Sequence, residues 1–406
     1  MSLYHETEHL HEYLAQFRTK TLQIEYHRAM STHQTSNNSA NVRQPTVMLS
    51  DLTSDLLWPR ILRAPALALS PSRLLAGTIC AFLLSFVVEI ANKIVAGDGT
   101  AVTESGAEIQ TLGERFSMSI SGIGTSIRAM DPIGLTQSIG NTAFAIRSSV
   151  IESPIISLVL GLPLIAILAV VGGAISRSTA IEFAKGQYAS SDDTLGFALR
   201  RTRQFVGAVV GPIIACVLIF LLIAIGGLLL SVPVLDVVGS ILYAVGLVLG
   251  ILATVVLMLH ILALPMIVPA LAVEGTDAFD AIQRSYAYVI GKPLRYLLYC
   301  LILTLIGVLS IGVFTMVAQG AIEMTHWAAS LFASDSTARV LTGEGELGAT
   351  KGIAHNIIGI WHTIIELGIT GYAISLFFTS STLLYLVVRR TCDGQDVNEV
   401  WDGVGE

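Results

Sequence analysis

The chain is short of charge. Only 13% of its 406 residues are Asp, Glu, Lys or Arg, 53% are hydrophobic, and its mean hydropathy is +0.71. A water-soluble protein of this length needs far more charge to cover its surface. Cysteine is scarce too. The four present, Cys80, Cys216, Cys300 and Cys392, lie in apolar runs or in the C-terminal tail. That excludes a disulfide framework and a cysteine zinc site, so no metal and no cofactor is expected. The first thirty residues are rich in His, Glu and Gln and hold no apolar core, which excludes a secretory signal there. Also missing are a phosphate-binding loop, a dinucleotide fingerprint, a nucleophile elbow and the kinase motif set. The basic clusters sit in no nucleic-acid module, so no nucleic-acid partner is expected.

What the chain has is long apolar runs, which point to lipid as its solvent. Six runs reach the roughly 20 residues that a membrane-crossing helix needs. They lie at 74–95, 154–176, 206–230, 237–264, 296–318 and 367–388, and the second, third and fifth contain no Asp, Glu, Lys, Arg or His. Residues 231–236, with Pro233, join the third and fourth runs into a tight hairpin. Pro212 and Pro265 are expected to kink or end helices. The predicted fold is all-α: a polytopic bundle of six transmembrane helices with amphipathic cytoplasmic elbow helices. Residues 1–47 are read as a polar cytoplasmic tail, 48–390 as the membrane domain and 391–406 as a second cytoplasmic tail.

Lysine and arginine give the direction, because cytoplasmic flanks carry the excess. One set of flanks holds Arg60, Arg63 and Arg73, then Arg177, Lys185, Arg200, Arg201 and Arg203, then Arg284, Lys292 and Arg295, then Arg389 and Arg390. The alternate flanks hold only Arg115, Arg128, Arg147, Arg339 and Lys351. The bias agrees at every crossing, which an odd number of spans would spoil. Both ends are therefore expected in the cytoplasm, with loops 98–152 and 323–352 outside.

Each long cytoplasmic loop ends in an amphipathic segment. In 276–290, Ala278, Ala281, Ile282, Ser285, Tyr286 and Val289 share a helical face, with Thr276 as the expected N-cap. In the earlier loop, Leu195, Ala198 and Leu199 share a face ahead of Arg200, Arg201 and Arg203. Aligned, Ala198 falls on Ala281, Arg201 on Arg284 and Phe205 on Tyr288. This reads as a duplicated unit of span, elbow helix and span. The second copy runs from Pro269 through a small apolar stretch to Glu274–Gly275. It continues through Ala281, Arg284, Ser285 and Tyr286 to Gly291 and Lys292. This pattern resembles the membrane domain found on some bacterial glycerophosphoryl diester phosphodiesterases and its stand-alone relatives. The resemblance implies a six-helix fold with elbow helices, and no activity.

Motifs with chemistry are few. His5, Glu6 and His9 fit the zinc-protease pattern, but the motif opens a polar tail with no third ligand, and reads as a flexible terminus. If translation starts at Met48, the tail falls away and 49–62 becomes an interfacial helix leading to the first span. Ionisable residues inside spans are the generic pointers to function. Glu89 and Lys93, and His362 and Glu366, are two i,i+4 pairs at outer helix ends; His260 reads as a hydrogen-bonded interface residue. Gly207/Gly211, Gly246/Gly250 and Gly172–Gly173 read as packing positions. Arg200, Arg201, Arg203 and Arg284 are the candidates for contact with lipid or a partner. The leading expectation is a non-enzymatic organiser or regulator of membrane lipids or protein partners, with no small-molecule ligand identified. A transporter or channel with an outward polar cavity is the alternative, and an intramembrane enzyme the third.

Overall fold

Each apolar run forms a helix, and most of the helices outrun the runs. The computed structural model describes residues 58–97, 154–231, 235–331 and 349–401, and isolated positions between 122 and 144. The described residues are about 90% helical and include no strand, so the fold is all-α. Two short helices, α1 (Trp58–Ile61) and α2 (Ala64–Ala68), lead into α3 (Pro71–Gly97). Then come α4 (Pro154–Lys185), α5 (Ser191–Arg200), α6 (Thr202–Leu229) and α7 (Leu235–Glu274). The chain ends with α8 (Ala278–Gly291), α9 (Pro293–Ser330) and α10 (Ala349–Asp393). Six of these, α3, α4, α6, α7, α9 and α10, are long and apolar enough to cross a membrane. The protein is a multi-pass integral membrane protein. The His5–His9 motif, residues 49–57, and most of loop 98–152 lie outside the described residues.

The helix ends depart from the expected spans. Helix α7 runs ten residues past 264, straight through Pro265 and Pro269. A proline removes one backbone donor, and a membrane helix tolerates this where neighbours pack against the break. Here the Tyr296 hydroxyl of α9 donates to the Leu262 carbonyl beside it. Residues 323–330 and 349–366, placed in or beside an outer loop by hydropathy, belong to α9 and α10. Trp327 and Trp361 stand exposed on these extensions. Indoles favour the membrane–water boundary, so exposed Trp327 and Trp361 are compatible with a boundary on these extensions, beyond 318 and before 367.

Helix α10 is the axis of the bundle. Its most apolar stretch is 78% buried, against 11–33% for the other five spans. It crosses α3 where Gly77 meets Gly371: a Cβ on Gly371 would stand 2.5 Å from the Thr78 nitrogen. Small residues let helix backbones approach in this way. Of the glycine pairs singled out in the sequence, Gly172 and Gly173 are tight, against Phe378 and Phe205, while Gly211 and Gly250 face open space.

The buried residues gather at one end, where α4, α7 and α10 stop. All of Met266–Val273 and Leu383–Val388 is buried there, together with Ile61, Ala180 and Phe205. We call this end the cap. Away from it, α6, α7 and α9 expose a leucine, isoleucine or valine at almost every turn. Such a surface is stable only against hydrocarbon. The 40-residue α7 is about 60 Å long. That is twice the roughly 30 Å of a hydrocarbon core, so its last turns are free to build the cap.

Candidate functional site

The cap is built on three similar helix ends. Gly186, Gly275 and Gly394 follow the last residues of α4, α7 and α10 with φ of 65°, 62° and 70°. Each amide donates to the carbonyl four residues earlier, at Glu182, Leu271 and Arg390. This is the left-handed stop that glycine makes without a Cβ penalty. It turns the chain back across the bundle, into elbow helices α5 and α8 and into a C-terminal strap, residues 394–401.

Glu274, the last residue of α7, is the hub. Its carboxylate accepts from Arg389 at 2.6 Å and from the Tyr385 hydroxyl at 3.0 Å, with Arg284 at 3.8 Å. Arg389 is 2% exposed and also donates to the strap carbonyls of Asp396 and Glu399, at 2.9 and 2.6 Å. A second buried pair, Arg73 with Glu182 at 2.7 Å, ties α3 to α4, and Arg73 also donates to the Leu67 carbonyl. Each buried guanidinium faces a carboxylate and at least one backbone carbonyl, which is the condition for burying it; of their nitrogens only the Arg389 Nε is buried without a hydrogen bond among the described residues.

Trp401 closes the strap. Its amide donates to the Val273 carbonyl at 3.0 Å. The Arg177 and Arg201 guanidinium carbons lie 5.6 and 4.9 Å from its ring centre, and Phe197 packs at 5.9 Å. Arg177 donates to the Ala272 and Trp401 carbonyls, and Arg201 to those of Gly275 and Thr276. A Cβ on Gly275 would stand 2.6 Å from the indole, so this glycine supplies both the turn and the room.

The aligned positions of the two loops share burial but not their place in the elements. Ala198 and Ala281 are fully buried, Phe205 and Tyr288 are buried, and Arg201 and Arg284 both reach the 274–276 turn, yet Arg201 falls at the α5–α6 break and Phe205 inside α6, whereas Arg284 and Tyr288 lie within α8. The N-cap of α8 is Asp277, one residue later than the expected Thr276, and it accepts from the Asp280 amide. The buried face of α8 also turns slightly from the predicted one. Ala281, Ser285, Tyr288 and Val289 are buried, while Ala278, Ile282 and Tyr286 are half-buried. The Tyr288 hydroxyl donates to Asp393. Burial first, and the Asp393 carboxylate second, hold its pKa well above the usual tyrosine value. Burial opposes the Arg284 charge, but the carboxylates of Asp280 and Glu274 outweigh it and raise its pKa.

The predicted site residues divide. Arg201 and Arg284 turn inward, as described, whereas Arg200 and Arg203 are exposed on the rim of the cap. Beside them stand exposed Leu195 and Leu199 of α5, and α8 exposes Phe279 and Ile290. At the far end Glu89 and Lys93 form an exposed pair at 3.5 Å. His362 does not pair with Glu366 among the described residues; its ring meets His326, 5.0 Å between centroids, and Glu366 is exposed. No hydrogen bond or ion pair joins these two groups among the described residues. His260 links the α6–α7 hairpin to elbow α8. Its Nε2 meets the Val209 carbonyl at 2.9 Å and its Nδ1 the Tyr286 hydroxyl at 3.0 Å. A carbonyl only accepts, so Nε2 carries the proton and Nδ1 accepts from the tyrosine.

Sequence reasoning missed Glu274 as a hub and Trp401 altogether. The signal for the first was the pairing of an acid with a glycine at a helix end. For the second it was Val397, Val400 and Trp401 in an otherwise polar tail. Comparison of the chain with protein-family models, with curated proteins and with solved structures finds no match.

Proposed function

We propose that this protein is a non-enzymatic organiser of bacterial inner-membrane lipid, with its cap in the cytoplasm and its elbow helices at the headgroup level. The observation that carries this reading is the rim of the cap. Exposed Leu195 and Leu199 stand beside exposed Arg200 and Arg203, and Phe279 and Ile290 lie on the second elbow. Apolar side chains next to cations are what a helix needs to rest on an anionic bilayer surface, where each cation contributes about 1 kcal/mol. The positive-inside bias supports the orientation. The loop pattern at 269–293, which resembles that of the phosphodiesterase membrane domains, fits the same reading. Its Glu274, Gly275, Arg284 and Tyr286 all serve as joints of the cap.

The test compares thermal unfolding in nanodiscs of anionic and of zwitterionic lipid. The wild-type protein unfolds at higher temperature in the anionic discs, and the double variant Arg200→Ala, Arg203→Ala loses most of that difference. Equal stability of the wild type in both discs sinks the proposal. A transporter is the second reading, favoured by two clefts beside α10. Their lining is apolar and does not include Glu89 or Glu366, which weighs against a polar solute.

A further inference from the structure

Two clefts flank α10 on the membrane side of the cap. One, of about 290 Å³, opens between α7 and α9 and is lined by Pro265, Thr304, Gly307 and Ser381. The other, of about 430 Å³, opens between α4, α6 and α7 and is lined by Leu168, Val209 and Val268. They share Ala373 and Phe377 of α10, and Phe377 is 51% exposed. The physical origin is the course of α7. From Met266 to Val273 it is buried, whereas on the far side of Pro265 its Leu264, Ile261 and Met258 are exposed.

We propose that the clefts flanking Phe377 seat the acyl chains of membrane phospholipids; the proposal rests on the lipid-organising reading above. Three observations fix the occupant. The lining is almost wholly apolar, with a few hydroxyls, so water gains too few partners to stay. The rims carry exposed Leu301 and Leu305 on α9 and Ile261 on α7, which are continuous with the hydrocarbon-facing belt. The volumes are those of small-ligand sites, whereas a membrane-crossing helix of a second copy is about 10 Å wide and about 30 Å long. An acyl chain is the narrow apolar rod that the surroundings supply.

Gly307 gives a clean probe. Gly307 lines the first cleft and no atom lies within 4 Å of a Cβ built there, so Gly307→Leu starts its side chain in open space at the cleft and favours the helix. Gly320, on the same helix outside the clefts, has the same open space and serves as control. The protein is purified in mild detergent, exchanged extensively, and weighed by native mass spectrometry. Wild type and Gly320→Leu retain phospholipid-mass adducts, and Gly307→Leu loses at least half of them. In parallel, a phosphatidylcholine with a photoreactive acyl terminus is incorporated in nanodiscs. Adducts appear on Thr304 or Phe377 as well as on the outward Leu305 and Leu309. Equal retention in the two variants, adducts with the mass of a free fatty acid or a second chain, or labelling confined to Leu305 and Leu309 overturns the proposal. The rim-arginine test reads headgroup charge and this one reads chain occupancy, so either can fail alone.

Discussion

At the scale of single residues, the cap makes its charges expensive to disturb. Glu274 is 15% exposed, yet it answers Arg389, which is 2% exposed. Glu274→Gln keeps the shape and removes the charge, leaving a buried guanidinium without its carboxylate. Breaking a buried pair from one side costs about 3–5 kcal/mol. Thermal unfolding in detergent should show a loss of that order, while Glu399→Gln, whose contact to Arg389 is through its backbone carbonyl, should change little. Gly275→Ala and Gly394→Ala make a second pair. Both force a left-handed φ on an alanine, at about 1–2 kcal/mol. Only at Gly275 does the new Cβ also meet Trp401, while Gly394 faces open space. Limited proteolysis should therefore release the C-terminal strap in Gly275→Ala and spare it in Gly394→Ala. Tyr288 links the stability of the cap to alkaline pH. Its pKa is raised in the folded state, so its contribution is full below the unfolded tyrosine value of about 10 and is lost as pH rises beyond it. Tyr288→Phe should start less stable, lacking the bond to Asp393, and lose less between neutral pH and pH about 11 than the wild type does.

At the scale of elements, the spans were legible because lipid demands unbroken apolar length, and no other pressure produces such runs. The elbows were legible because one side of each is apolar. Their ends were not. Residues 265–274 hold two prolines and a glutamate, which reads as a stop, and only the neighbouring helices and the cap's charges keep α7 wound there. The positive-inside rule counts arginines and is blind to burial, so it could not separate Arg73 and Arg389, which lock the cap, from Arg200 and Arg203, which face outward. The duplication is the part that generates a new expectation. Ala198 and Ala281 are both fully buried. Ala198→Leu and Ala281→Leu should each overpack the cap and cost about 1–3 kcal/mol. Gln283→Leu, on the exposed side of α8, should not. Unequal effects at the two alanines would show that their shared burial does not make them equivalent positions.

At the scale of the whole molecule, one end is a dense polar-laced cap and the rest is a lipid-facing sleeve around α10. That asymmetry fits the sequence's charge bias. The cap carries Arg60, Arg63, Lys185, Arg200, Arg203, Lys292 and Arg295 at exposed positions, whereas described exposed cations beyond the sleeve are few. Cytoplasmic enrichment of lysine and arginine supports the proposed orientation, with the cap inside the cell and the α9–α10 extensions outside it. Single cysteines decide the matter in a background where the four native ones are replaced by alanine. Tyr188 is 82% exposed between α4 and α5, and Thr350 is exposed at the start of α10. Neither has a structural role that a cysteine would disturb on the buried side. In intact cells an impermeant thiol reagent should modify Thr350→Cys and leave Tyr188→Cys untouched, and permeabilised cells should show both reacting. Modification of Tyr188→Cys in intact cells would invert the molecule and, with it, remove the anionic cytoplasmic leaflet on which the rim arginines are proposed to rest.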